Sequence, residues 1–170
     1  TGMTFVEYLT NYRMKVAKKL LEENMKMKMY LLKVYPVGMG REVYRKIEIM
    51  GGATLDDLCR TIINSFDFIH EHMYEFCMDN RMYSDYSYQS APKRGEASTR
   101  IKLDRLQLQE KQKFLLHYDF GDDWQFVIRV EKIIQVAEEI KPRVTKEKGE
   151  IVQYPDFEDE DFEDEDFEDE

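Results

Sequence analysis

The chain has 170 residues, 42% of them hydrophobic, and a formal charge of -10, which allows one sizeable core and hardly two. Residues 155–170 hold 12 of the 35 acids and no base, leaving 23 acids against 25 bases elsewhere, a net of +2; the body is neither a strongly basic nucleic-acid binder nor a uniformly acidic surface. No apolar run approaches the roughly 18 residues that span a bilayer and no secretory pattern opens the chain, so a soluble, cytoplasmic protein is expected.

The first element is an amphipathic helix. Thr4 and Glu7 form a capping-box pair, and Phe5, Leu9, Tyr12, Val16 and Leu20 recur at spacings of four, three, four and four up to about Asn24. It is expected to pack on its own domain, the alternative being a docking or dimerisation helix. Lys26 to Val34 alternates Met27, Met29 and Leu31 with lysines and Tyr30, and Val43 to Ile49 alternates again, so two neighbouring strands are predicted.

Thr54 and Asp57 open a second helix, with Leu55, Leu58, Cys59, Ile62, Ile63 and Phe66 on one stripe. Cys59 on that stripe reads as a buried, inert thiol, and neither Cys59 nor Cys77 has a CxxC or zinc spacing. Met73 to Met78 predicts a third strand, with Tyr74, Phe76 and Met78 facing one way and Glu75 and Cys77 the other. Ser84 to Thr99 lacks periodicity and reads as a long loop. Its Tyr86, Tyr88, Lys93 and Arg94 could contact a nucleic-acid strand, but no basic groove accompanies them. Leu103 to Leu108 is a short turn or helical piece.

Lys113 to Phe120 and Trp124 to Ile133 predict a closing hairpin around HYDFGDDW. Parity favours a loop of odd length, because only then do the two apolar rows share a face. A three-residue loop, Gly121 to Asp123, would pair Phe120 with Trp124 and Tyr118 with Phe126, or a longer odd loop would keep the same parity. Gly121 is the natural position for a positive φ.

The domain organisation is an amphipathic helix over residues 1–24, an α+β domain over 25–140, an extension over 141–155, and an acidic tail over 156–170. The tail repeats Asp-Phe-Glu-Asp-Glu three times and buries too little to fold alone, so it is expected to be disordered.

The candidate binding residues are His72, Glu75, His117, Asp119, Asp122, Asp123 and Trp124. Turn chemistry accounts for the aspartates, since Asp bonds its own backbone in turns. A sharper reading gathers Asp119, Asp122 and Asp123 around magnesium or manganese, with His72 or Glu75 assisting, as hard cations prefer carboxylate oxygens; such a site could activate water. His70 and His72 would point the same way if the third strand began early. No catalytic residues are assigned and no cofactor is expected outside that alternative. No glycine-rich phosphate loop, nucleophile elbow or Walker loop is present.

VYRKIEI, TLDDLCRTIINSF, HMYEF followed by MYSD, IKLDRL and FLLHYDFGDDWQFVIRVEKI, in that order, resemble the plasmid pRiA4b ORF-3-like family from about Met27 to about Ile134. The resemblance implies a twisted mixed or antiparallel sheet packed on one main helix, with a β-grasp-like element order. Its motif falls on His72, Glu75, Phe76, Tyr83, Tyr118, Asp119, Phe120, Gly121, Asp122 and Trp124. Gln125 and Phe126 stand where the family often has a histidine, and a cysteine-bearing, glycine-rich carboxyl segment is absent. Members have no assigned function, and some are labelled resolvases of mobile elements. No serine-recombinase pattern or helix-turn-helix with a basic recognition face supports that label here.

Together these observations predict a non-enzymatic binding or adaptor module with an acidic interaction tail and an unidentified protein partner. Nucleic acid is the less favoured partner, and a membrane is not expected. The alternative is a metal-dependent hydrolase or nuclease using the three hairpin aspartates.

Overall fold

The computed structural model describes residues 2–24 and 26–155; the acidic repeat and its expected disorder lie outside them. The first helix, α1 (Phe5–Asn24), is capped as its sequence predicts: Thr4 N–H donates to the Glu7 carboxylate at 2.7 Å, and Glu7 N–H donates to Thr4 Oγ1 at 3.3 Å. Among its described side chains, the predicted apolar row is not packed on the domain. Phe5 is 74% exposed, Tyr12 57% and Leu20 53%, and of the predicted row only Leu9 and the 39%-exposed Val16 come near half burial. Amphipathic spacing selects a face of a helix without naming what covers it.

The rest follows as β1 (Met27–Pro36), β2 (Tyr44–Met50), α2 (Leu55–Ser65), β3 (Tyr74–Cys77), β4 (Ser87–Gln89), β5 (Ala97–Ser98), a short 3-10 turn (Leu103–Leu106), β6 (Lys113–Tyr118), β7 (Trp124–Val136) and β8 (Arg143–Lys148). All eight strands join one sheet in the order β5-β4-β3-β6-β7-β1-β2-β8, antiparallel except between β4 and β5. The fold is α+β. Among the described residues, no helix is long and apolar enough to cross a membrane.

Helix α2 starts at a complete capping box, Thr54 Oγ1 accepting from Asp57 N–H and the Asp57 carboxylate accepting from Thr54 N–H. Its Leu55, Leu58, Cys59, Ile62 and Ile63 are buried with Tyr30, Leu32, Val34, Ile47, Ile49, Phe76, Phe114, Leu116, Phe126, Ile128 and Val130. Each large side chain removed from water there contributes about 1.5–3 kcal/mol, so this stripe attaches helix to sheet. Burial pushes the Cys59 thiol well above its ordinary range, with the nearby Asp56 charge adding to the effect.

Several expectations need correction. The row of β1 that faces the core is Tyr30, Leu32 and Val34, and of the alternating Met27, Met29 and Leu31 only Met29 is buried. A bulge between Leu31 and Leu32 leaves Glu131 of β7 without a direct partner, since Leu31 pairs with Lys132 and Leu32 with Val130. The segment read as one long loop contains β4 and β5, too short to show periodicity. The segment read as an extension contains β8, paired with β2. Every residue of β8 is exposed, so it lacks the half-buried alternation that marks a strand in sequence.

Arg45 fixes that end of the sheet. Nearly buried at 5% exposure, it donates to the carbonyls of Ser65, Lys148 and Gly149 at 2.8, 3.1 and 2.9 Å, and its guanidinium lies 4.2 Å from the centre of the Phe66 ring. Gly149 has φ +66, and a Cβ there would stand 2.4 Å from the Glu42 carbonyl oxygen, so both conformation and space call for glycine.

Candidate functional site

The hairpin between β6 and β7 has a five-residue loop. Tyr118 pairs with Trp124, His117 with Gln125, Leu116 with Phe126 and Phe114 with Ile128. This keeps the odd-loop parity but replaces the three-residue pairing of Phe120 with Trp124. The cause is local: Asp119 leaves the ladder at φ 59, its carbonyl accepts from Asp122 N–H at 3.2 Å and Asp123 N–H at 2.7 Å, and its Oδ1 accepts from Gly121 N–H at 3.1 Å. Aspartate tolerates the left-handed region better than most side chains. Positive φ falls on Asp119 and Asp123, not on Gly121.

The loop separates its aspartates. On the sheet face away from α2, His117 Nδ1 lies 3.0 Å from Glu75 Oε1, and His117 Nε2 lies 2.7 Å from Asp123 Oδ1. The His117 and Glu75 side chains are wholly buried, while that of Asp123 is about half exposed. Carboxylates only accept, so the arrangement is complete when both ring nitrogens donate. Glu75 also accepts from Tyr83 N–H at 2.7 Å and from the Gln89 amide at 2.7 Å. Burial raises its pKa, but the bonds from Tyr83 N–H, His117 and Gln89 outweigh it and hold the carboxyl below its ordinary value. Tyr83 sits at φ 56, a strained conformation for a bulky residue. With Phe120 it covers the imidazole, their ring centroids 5.0 and 4.9 Å away.

A second cluster forms at the same loop. Asp119 Oδ2 stands 3.2 Å from His72 Nδ1 and accepts from the Tyr154 hydroxyl at 3.2 Å, and that hydroxyl is 3.0 Å from His72 Nε2. Burial raises the Tyr154 pKa, and the bond to Asp119 raises it further. The segment carrying Tyr154 is held by Gln153, whose side-chain oxygen accepts from Ile69 N–H at 2.7 Å. Tyr118 donates to the Ile69 carbonyl, and burial lifts its pKa to about 12.

The structure therefore brings Glu75, His117 and Asp123 together, and separately His72 and Asp119. It does not gather Asp119, Asp122 and Asp123 around one point: Asp122 is exposed, and the other two are bonded to different histidines. Among the described residues, no group of three or more His, Cys, Asp or Glu side chains is placed to hold a metal ion. His70 bonds Asn64 instead of joining His72, because β3 begins only at Tyr74. Trp124 is half-buried, 4.7 Å from the Phe68 ring. Gln89 and Tyr154 were not legible as site residues. Gln89 lies in an aperiodic stretch, and Tyr154 reaches Asp119 over 35 residues.

A family model described as plasmid pRiA4b ORF-3-like protein matches residues 28–157. The chain is also similar to a crystal structure of a protein of unknown function, MM3350, from Methanosarcina mazei Go1. The two share 31% identity over 74% of this chain and 72% of that one, with a TM-score of 0.63. Comparison with curated proteins gave no significant match.

Proposed function

Because the chain belongs to the plasmid pRiA4b ORF-3-like family, and a solved structure similar to it is itself described as a protein of unknown function, we propose from its own surface that it is a non-enzymatic binding or adaptor module with a protein partner. The observation that carries this reading is α1, which holds Phe5, Tyr8, Tyr12 and Leu20 more than half exposed along a 20-residue helix. An amphipathic helix presenting anchors at i, i+4 and i+7 suits a partner's apolar groove, and an uncovered apolar face of this kind marks an interaction surface. Residues 156–170, with 12 acids and three phenylalanines, add attraction for a basic partner. Asp122 and Asp123 of the loop, with Trp124 at the start of β7, are the candidate contact residues, while His72, Glu75, His117 and Asp119 frame the loop.

The competing reading, a metal-dependent hydrolase or nuclease, needs Asp119, Asp122 and Asp123 on one ion. Asp119 is committed to His72 and Tyr154, and Asp123 to His117, so no observation favours it. The adaptor reading is tested by affinity capture with the full chain and with Tyr12→Glu/Val16→Glu. Captured protein should be lost while the unfolding midpoint moves by no more than about 2 °C, as expected for exposed positions. Equal capture by both proteins would sink the reading. Removing residues 156–170 should weaken capture most at low salt.

A further inference from the structure

The sheet face away from α2 carries a line of positive charge that the register alone reveals. Lys113 of β6 pairs with Arg129 of β7, Arg129 with Lys33 of β1, Lys33 with Lys46 of β2, and Lys46 with Lys146 of β8. Five basic residues from five adjacent strands thus stand side by side. Neighbouring strands are about 4.8 Å apart, so the row runs for about 19 Å. Like charges directly opposite one another across strands are destabilising, and this row contains four such pairs in succession.

Two members have partners that explain their placement. Lys33 donates to the Gly40 carbonyl at 2.8 Å and lies 4.5 Å from the Tyr44 ring centre, and Lys46 pairs with Glu131 at 2.9 Å. Among the described residues, Lys113, Arg129 and Lys146 have no carboxylate at ion-pair distance, and all three are exposed. Beside the row, Lys33, Arg41 and Arg129 line a cleft of about 390 Å³, which Glu42 also lines.

We propose that this row is the docking site of the chain's own acidic segment, residues 156–170. Charge complementarity selects the occupant: the segment carries 12 acids and no base, while the rest of the body offers no comparable anionic run. Its tether also suits. Tyr154 is anchored to Asp119 at the end of β6, and the Lys113 row lies six residues back along that strand, about 20 Å at 3.3 Å per residue. Fifteen residues reach at most about 50 Å, enough to round the sheet end and lie along the row. Attachment in the same chain gives an effective concentration on the order of millimolar, so weak contacts suffice. The acidic segment thereby neutralises the row until a more basic partner draws it off, and competes with any outside polyanion for it.

Carbodiimide coupling of the full chain at low salt, followed by peptide mapping, tests this directly. Acid-to-lysine crosslinks from residues 156–170 should concentrate on Lys33, Lys46, Lys113 and Lys146 in monomer-sized protein, at least about fivefold above Lys28, Lys93 and Lys102. They should fall several-fold at about 0.5 M salt, where the screening length shrinks to about 4 Å. In Lys113→Glu/Arg129→Glu/Lys146→Glu, crosslinks to Lys33 and Lys46 should drop. Crosslinks spread evenly over surface lysines, or confined to dimer-sized protein, would overturn the proposal. So would a row that forms no crosslinks but is protected by a single-stranded oligonucleotide, which would assign it to nucleic acid. The unsubstituted protein decides the question even if the triple variant fails to fold.

Discussion

Glu75 and His117 face each other across β3 and β6 with both side chains shut off from solvent, Oε1 to Nδ1 at 3.0 Å. Removing the imidazole leaves the buried Glu75 carboxylate without its partner, which typically costs 3–5 kcal/mol. His117→Ala should therefore lower the unfolding free energy by about 3 kcal/mol or more in denaturant titrations. Glu75→Gln, which keeps the shape and still accepts from Tyr83 N–H, should cost less, about 1–3 kcal/mol. A loss under about 1 kcal/mol for His117→Ala would show that the pair contributes nothing net.

The same carboxylate makes stability depend on acid. Glu75 titrates below its ordinary value in the folded protein, so on acidification the unfolded chain takes up its proton first, near pH 4.3. Its contribution is present above that pH and is lost as the pH falls through the folded value. The stability gap between the wild-type protein and Glu75→Gln should accordingly narrow as the pH falls from about 6 to about 3. A gap that stays constant in paired chemical denaturation curves would falsify the assignment.

Asp119 serves the loop through both its conformation and its carboxylate. Asp119→Ala gives up the bond from Gly121 N–H and the contacts to His72 and Tyr154 and should cost about 1–3 kcal/mol. Asn at this position accepts the same backbone bond and tolerates positive φ, so Asp119→Asn should cost under about 1 kcal/mol. Magnesium or manganese should leave the melting midpoint unmoved. A ligand at 100 times its dissociation constant adds about 2.7 kcal/mol, which is several degrees for a domain of this size. A shift of that size that Asp119→Ala removes would restore the metal reading.

Trp124 packs its ring on Phe68 at 4.7 Å and near Phe126 at 6.4 Å while keeping one side wet. Full truncation of a core aromatic costs about 3–5 kcal/mol, so Trp124→Ala should fall at or just below that range, about 2–3 kcal/mol. It is the sole tryptophan of the chain, and in Phe68→Leu its fluorescence emission should move to the red as solvent reaches the ring. Unchanged emission, or a Trp124→Ala cost below about 1 kcal/mol, would place the indole outside the core.

The two capping boxes and the stripe of α2 were legible in the sequence because their partners lie within a few residues of each other. The buried row of β6 was legible for the same reason. Glu75 and His117 were recognisable as candidates but not as a pair, because 42 residues separate them and only the register of β3 on β6 aligns them. The hairpin loop length depended on whether Asp119 or Gly121 took the left-handed conformation, a choice settled by hydrogen bonds that Asp119 makes through both its carbonyl and its carboxylate. The basic row was invisible for a related reason: its five members lie in five separate sequence segments, and only the register of five strands aligns them.

The anchors around Arg45 and Gln153 also determine how the molecule bears a pull on its carboxyl end. Tension applied beyond Pro155 meets the Tyr154 bonds to Asp119 and His72 first, then the Gln153 link to Ile69, then the Arg45 grip on the Gly149 and Lys148 carbonyls. Only after those contacts give way does the load reach the ladder between β8 and β2. A handle attached at that end would therefore release in steps, with the edge strand the last to peel.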